Sequence, residues 1–185
     1  ELGAGIRAGD KVSLVEEGQT ITIGEKHLGR VFDAIGDPLD GRATPSGNDV
    51  WPLHGKLVNP LERNHISQVL DVGVRSINSL LTIAMGQRVG IIAGSGVGKS
   101  VLLSMMTKHS AADVIVVGLI GERSREVLEF VDKVFDPETK KKLCAVAVPA
   151  DRSPLLRIRG ANRATAIAEY FRDQGKNVLL IMDSL

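Results

Sequence analysis

One cysteine, one tryptophan and one tyrosine stand in this 185-residue chain, and neither sign of charge predominates: 23 basic side chains offset 22 acidic ones to leave a net charge of +1. A lone Cys144 can close no intrachain disulfide and build no thiolate metal cluster. Its setting, Leu143-Cys144-Ala145-Val146, predicts a buried core thiol. Aromatic residues make up 3% of the chain, too few for the stacking platforms of single-strand nucleic-acid binders. The balanced charge removes any global field that would draw in nucleic acid or a membrane surface. No apolar run approaches the roughly 18 residues needed to span a bilayer; the longest, from Asp113 to Ile120, has the length of a buried strand. Histidines 27, 54, 65 and 109 are scattered, without the paired spacing of a metal site.

What is present is an apolar fraction of 43%, enough for a real core, arranged in two different rhythms. Residues 11–15, 20–23 and 28–35 form short β-like runs separated by glycine-rich breaks, the pattern of part of a small β-barrel. From Gly36 to Pro60 the composition shifts to Pro, Gly, Asp and Asn, with prolines at 38, 45, 52 and 60. The division this predicts is 1–40 as part of an N-terminal β-barrel domain, 41–60 as linker and 61–185 as a nucleotide-binding domain. Within the linker Trp51 is expected to anchor it against a domain, and Asp33, Asp37 and Asp40 form an acidic turn. Beyond residue 60 apolar strand candidates (88–92, 114–119, 143–148, 178–182) alternate with helix candidates (98–109, 124–134, 153–172). Strands apolar on both faces and separated by helices predict an α/β fold around a parallel sheet, with ligands at the strand C-terminal ends. The chain begins at Glu1 without methionine and stops just after its last strand-like run, which leads us to expect a segment of a longer protein.

The most specific feature is Ala93-Gly94-Ser95-Gly96-Val97-Gly98-Lys99-Ser100-Val101, a glycine loop set between an apolar run and a helix start. This is a P-loop for a nucleoside triphosphate. Glycines 94, 96 and 98 let the backbone turn its N–H groups inward on a phosphate, and Ser95, Val97 and Val101 contribute their own backbone to the same cradle. Lys99 adds a point charge for the outer phosphates, and the Ser100 hydroxyl is placed to ligate Mg²⁺. The usual pattern begins with Gly, where this chain has Ala93.

Three further stretches fit around the loop. Leu119 to Glu126 carries a strand end into a helix start, which puts Glu122 on the P-loop edge of the sheet. There its carboxylate can polarise an attacking water and Arg123 can neutralise phosphate charge; Glu122, Arg125 and Glu126 equally suit capping and solvated charges at a helix start. Asn177 to Asp183 is an apolar strand ending in an acid, and Asp183 can hold Mg²⁺ opposite Ser100. In Pro149 to Gly160, Asp151 or Ser153 can cap a helix that has Pro154 in its first turn. The arginines along that helix, 157, 159 and 163, could also meet a neighbouring subunit.

Taken together, Asn59-Pro60-Leu61-Glu62-Arg63, Leu70 to Asn78, Gly86-Gln87-Arg88, the loop Ala93 to Ser100, Gly118 to Arg123, and Ile167 to Gly175 with Leu180 to Leu185 resemble the flagellum-specific export ATPase family. That family is similar to rotary ATP synthase α/β subunits and to the ATPases of virulence-type secretion systems. The resemblance covers essentially the whole chain and is strongest from Asn59 onward. It implies a RecA-like P-loop NTPase domain preceded by a small β-barrel and followed by a helical domain. It also implies Mg²⁺-dependent hydrolysis of ATP that energises flagellar type III protein export, with Glu122 as catalytic carboxylate, Lys99 and Ser100 on phosphate and Mg²⁺, and Asp183 as the Walker B acid. The implied assembly is a homo-hexameric ring with ATP between subunits, and the arginine finger falls beyond Leu185. The implied partners are the flagellar export apparatus, regulator and stalk proteins and chaperone–substrate complexes, with no nucleic acid. The implied location is cytoplasmic, at the base of the export apparatus, with peripheral membrane association through the export gate. Ala93 matches the export form of the loop. A virulence-type secretion ATPase or a catalytic rotary synthase subunit would use the same chemistry. A noncatalytic ring subunit should lack Glu122, and an RNA-translocating ring should offer an RNA-binding module that the aromatic-poor first part does not support.

Overall fold

The computed structural model describes residues 9–11, 19–46, 49–94 and 96–184. In chain order its elements are β1 (Thr20–Ile23), β2 (Arg30–Phe32), β3 (Asp49–Pro52), α1 (Arg75–Leu80), α2 (Lys99–His109), β4 (Val114–Ile120), α3 (Ser124–Val134), β5 (Leu143–Val148), α4 (Pro154–Asp173) and β6 (Val178–Asp183). Four strands pair in parallel in the order β2-β5-β4-β6, and β1 and β3 form a separate antiparallel pair. The fold is thus α/β, with every residue of β4 and β5 buried.

Alternation along these strands divides the core in two. Val114, Val116 and Ile120 of β4, with Cys144, Val146 and Val148 of β5, face α4 and the β1–β3 pair. Ile115, Val117 and Leu119, with Leu143, Ala145 and Ala147, face α2 and α3 through Leu103, Met106, Phe130 and Val134. Continuous apolar sequence is what a strand covered on both sides requires. On the α4 side two glycines set how close the helix comes. A Cβ on Gly118 would approach the Ala164 Cβ to 3.3 Å, and one on Gly160 would press the Ile120 Cδ1 at 3.2 Å. Ser153 caps α4 by accepting from the Leu156 N–H at 3.4 Å, with Pro154 opening the helix. Cys144 is fully buried, and burial pushes its thiol up to about 12, which leaves it inert. Among the described residues no helix is long and apolar enough to cross a membrane.

The sequence and the structure part in four places. Residues 88–92, expected as the strand that feeds the P-loop, are not a strand; Val89 and Ile91 are exposed and Ile92 fully so. Apolar, β-branched composition favours a strand only where a neighbour completes its hydrogen-bond ladder, and none of the four sheet strands pairs with this run. Residues 49–52, inside the expected linker, form β3, which pairs with β1 in the register Ile21↔Trp51. Trp51 is buried, edge-to-face against Tyr170 of α4 with ring centroids 5.7 Å apart, so the expected anchor is there. α1 is a helix the composition does not announce. Finally, the run 28–35 contributes only Arg30–Phe32, which pairs in parallel with β5 as the outer strand of the main sheet. The run 11–15 lies, except for Lys11, outside the described residues.

The acidic turn after β2 does structural work. Arg30 is buried, and its Nε lies 2.5 Å from the Asp40 Oδ2 while Nη2 donates to the carbonyls of Arg42 (3.2 Å) and Ala43 (2.9 Å). Burial alone would raise the Asp40 pKa, but hydrogen bonds from Arg30 and Arg42 outweigh it and hold the carboxyl well below the ordinary range. A depressed carboxylate adds stability above its ordinary pKa of about 4, and that stability is lost as the pH falls below it. Asp40→Asn leaves Arg30 buried without its counter-charge. It should destabilise the fold by about 3 kcal/mol in urea titrations at pH 7, with the difference from wild type shrinking below about pH 4. A constant difference from pH 7 to pH 3 would contradict this role.

Candidate active site

Parallel strands bring the ends of β4 and β6 to one edge of the sheet. The register Leu119↔Asp183 sets the last residue of β6 beside the end of β4, and Gly121 and Glu122 follow directly. Backbone bonds fix this edge: Ser184 N–H donates to the Ile120 carbonyl at 3.1 Å, Gly121 N–H to Val148 at 2.8 Å and Ala150 N–H to the Glu122 carbonyl at 3.0 Å. Gly121, at φ +80°, makes the turn that a side chain would strain.

Lys99, the first residue of α2, reaches onto this edge. Its ammonium is hydrogen-bonded to the Asp183 Oδ1 and lies 3.6 Å from the Glu122 Oε1. The three side chains are 29% (Lys99), 18% (Glu122) and 7% (Asp183) exposed. The Asp183 hydrogen bond holds the Lys99 pKa above its ordinary value. Burial, and then the nearby Asp183 charge, raise the Glu122 carboxyl, an effect Lys99 partly offsets. Two carboxylates and one cation therefore share a site largely withdrawn from water, with Glu122 poised to accept a proton more readily than a surface glutamate.

Beside this cluster the loop before α2 is built for an anion. Gly96 and Gly98 take φ +77° and +103°, which only glycine adopts without strain. α2 has Gly98 as its N-cap residue and no side-chain cap, so its first N–H groups remain available. Gly94, Val97, Gly98, Ser100 and Val101 line an exposed loop and first turn, while Ser95 lies outside the described residues. A hard divalent cation fits the oxygen donors Ser100 and Asp183. Among the described residues no three His, Cys, Asp or Glu side chains gather into a metal cage, so such a cation would take its remaining ligands from phosphate and water.

The structure thus joins Lys99, Glu122 and Asp183 from three separate stretches. Arg123 stays apart: its guanidinium is 71% exposed and pairs with Glu126 at 3.6 Å. Of the helix arginines named from the sequence, one faces the sheet edge instead of a neighbouring surface. Arg157 of α4 lines a cavity of about 440 Å³ with Ile120, Gly121, Pro154, Ile158, Ala161 and Ser184, next to Glu122 and Asp183. Its buried Nε has no hydrogen-bond partner. Arg163, two turns further along α4, turns inward to the Ala34 and Ile35 carbonyls. The spacing of the arginines gives the helix but not which of them faces the sheet edge.

The chain resembles known proteins over most of its length. Residues 73–185 match the ATP synthase alpha/beta family, nucleotide-binding domain. The chain is 54% identical over 182 residues to the flagellum-specific ATP synthase of Pseudomonas aeruginosa, covering 98% of this chain and 40% of that protein. It therefore spans about 40% of the length of that curated relative. Among solved structures, the assembled ATPase EscN from the type III secretion system of enteropathogenic E. coli superposes with a TM-score of 0.88 at 46% identity, over 98% of this chain and 44% of that one. EscN assembled with its central stalk EscO superposes at 0.84 and 48% identity, over 90% of this chain and 41% of that one.

Proposed function

The chain belongs to the ATP synthase alpha/beta family through its nucleotide-binding domain, and from that premise we propose that it binds and hydrolyses ATP with Mg²⁺ to energise flagellar type III protein export. The observation that carries this reading is the Lys99 ammonium between Glu122 and Asp183, at the strand ends beside the open first turn of α2. In this reading the backbone of residues 94–101 cradles the phosphates, and Lys99 neutralises the outer ones. Ser100 and Asp183 hold Mg²⁺, which when bound supplies charge neutralisation on the phosphate oxygens. Glu122 orients the attacking water and takes its proton. Arg123, exposed at the site's rim, exchanges Glu126 for phosphate in this reading. Identity to flagellum-specific relatives runs from 46% to 54%, a range that includes the 46% and 48% to the virulence-type structures, and the flagellar machine is the reading we adopt.

The parallel pairing of β2 with β5 supports starting the nucleotide-binding unit at or before Arg30, with the barrel segment preceding it. EscN is described as assembled and as carrying a central stalk. By that likeness this protein works as a homo-hexameric ring at the export apparatus, in contact with a stalk, regulators and chaperone–substrate complexes, in the cytoplasm at the membrane. The direct test is titration with a fluorescent ATP analogue in the presence of Mg²⁺. The wild-type chain should bind, and Lys99→Ala should bind about tenfold or more weakly, the effect of losing a charge-assisted phosphate contact. Equal affinity in the two would overturn the reading.

A further inference from the structure

The cluster at the sheet edge has a property that phosphate binding alone does not require. Asp183 is almost fully buried, and a buried carboxylate persists as an anion only when a counter-charge sits on it. Here that counter-charge is the Lys99 ammonium, which also stands 3.6 Å from Glu122. Lys99 therefore sits on Asp183, one of the two oxygen donors assigned to the cation, and it is the residue next to Ser100, the other. The arm that carries it leaves a helix start preceded by Gly96 and Gly98, which hold φ +77° and +103°.

We infer that Lys99 is a surrogate cation in the nucleotide-free site, barring a divalent metal from Asp183 until an anionic phosphate chain draws the ammonium away. This rests on the assignment of Asp183 and Ser100 to the cation. Triphosphate competes for Lys99 with a denser negative charge than one carboxylate offers, so the lysine moves to phosphate and Asp183 is released to the metal. Nucleotide and metal then bind with positive coupling, each raising the affinity for the other by the same factor. The empty site, for its part, is kept from filling with a metal that would have to be expelled or reorganised before the phosphates could enter.

The test uses Mn²⁺ alone, with no nucleotide, followed by loss of the free-ion signal in electron paramagnetic resonance. Nucleotide-free wild type should bind Mn²⁺ weakly. Lys99→Ala and Lys99→Gln should bind one Mn²⁺ about tenfold or more tightly, the size of a single charge-assisted contact. Lys99→Arg, which keeps the charge, should stay as weak as wild type. Adding Asp183→Asn to Lys99→Ala should abolish the gain. Circular dichroism establishes that each variant is folded, and Mn²⁺ should raise the melting temperature of Lys99→Ala but not of wild type. Tight Mn²⁺ binding by wild type, or no gain in both neutral variants, would overturn the inference. Because no nucleotide is present, either result leaves the ATP-binding titration to decide the proposed function separately.

Discussion

Glu122→Gln is expected to bind ATP within about twofold of wild type and to turn it over about 10²- to 10⁴-fold more slowly, the usual contribution of a general base. Glutamine keeps the size and hydrogen-bonding reach of the side chain at the end of β4 but cannot take a proton. Burial and the Asp183 charge raise the Glu122 carboxyl, so wild-type turnover should fall with decreasing pH at a higher pH than an ordinary glutamate would give. The sign follows from the role: the base works only when ionised, so activity is present above the raised value and lost below it. The residual rate of the variant should lack that acid limb. A carboxylate whose pKa is raised by folding also disfavours the folded state when ionised. The variant should therefore melt at or above the wild-type temperature near neutral pH, separating loss of chemistry from loss of fold. Undiminished turnover, or an acid limb that survives in the variant, would remove Glu122 from the mechanism.

How much of this was legible in the sequence depends on whether a residue's role is set locally. The glycine loop, Lys99 and the helix it starts follow from local rules, and so does the Ser153-Pro154 opening of α4. Glu122 and Asp183 are legible as residents of one edge because parallel strands put all their C-terminal ends there, while their adjacency follows from the pairing of β4 with β6. What local rules cannot supply is partnership. The run 88–92 has strand composition, yet a strand exists only with a paired neighbour, and the described sheet offers it none. Asp49–Pro52 looks like linker because it is short and ends in proline, yet β1 pairs with it and Trp51 locks it onto Tyr170. The inward turn of Arg163 and the approach of Arg157 to the sheet edge depend on the rotation of α4, set where Gly118 and Gly160 let the helix approach. The pairing of Lys99 with Asp183 joins residues 84 positions apart, and no spacing rule links them.

Asp183→Asn should lower turnover by about 10²-fold or more and remove the effect of Mg²⁺ on ATP affinity. The two consequences have separate causes. Asparagine offers a cation a neutral oxygen in place of a charged one, which a strongly hydrated divalent ion accepts poorly, so Mg²⁺ should no longer tighten nucleotide binding. At the same time Lys99 loses its strongest partner and need not be pulled from a buried carboxylate. ATP without metal, measured in chelator, should then bind the variant as tightly as wild type or more so. Glu122 also loses the negative neighbour that helps raise its carboxyl, so the acid limb of any residual turnover should move to lower pH. Affinity gained in chelator and lost sensitivity to Mg²⁺ form a pair that unfolding cannot produce, since a damaged site would bind less under both conditions. If Mg²⁺ still tightened ATP binding to the variant as much as to wild type, the cation would have another protein ligand, and the Lys99–Asp183 contact would be a salt bridge of the fold alone.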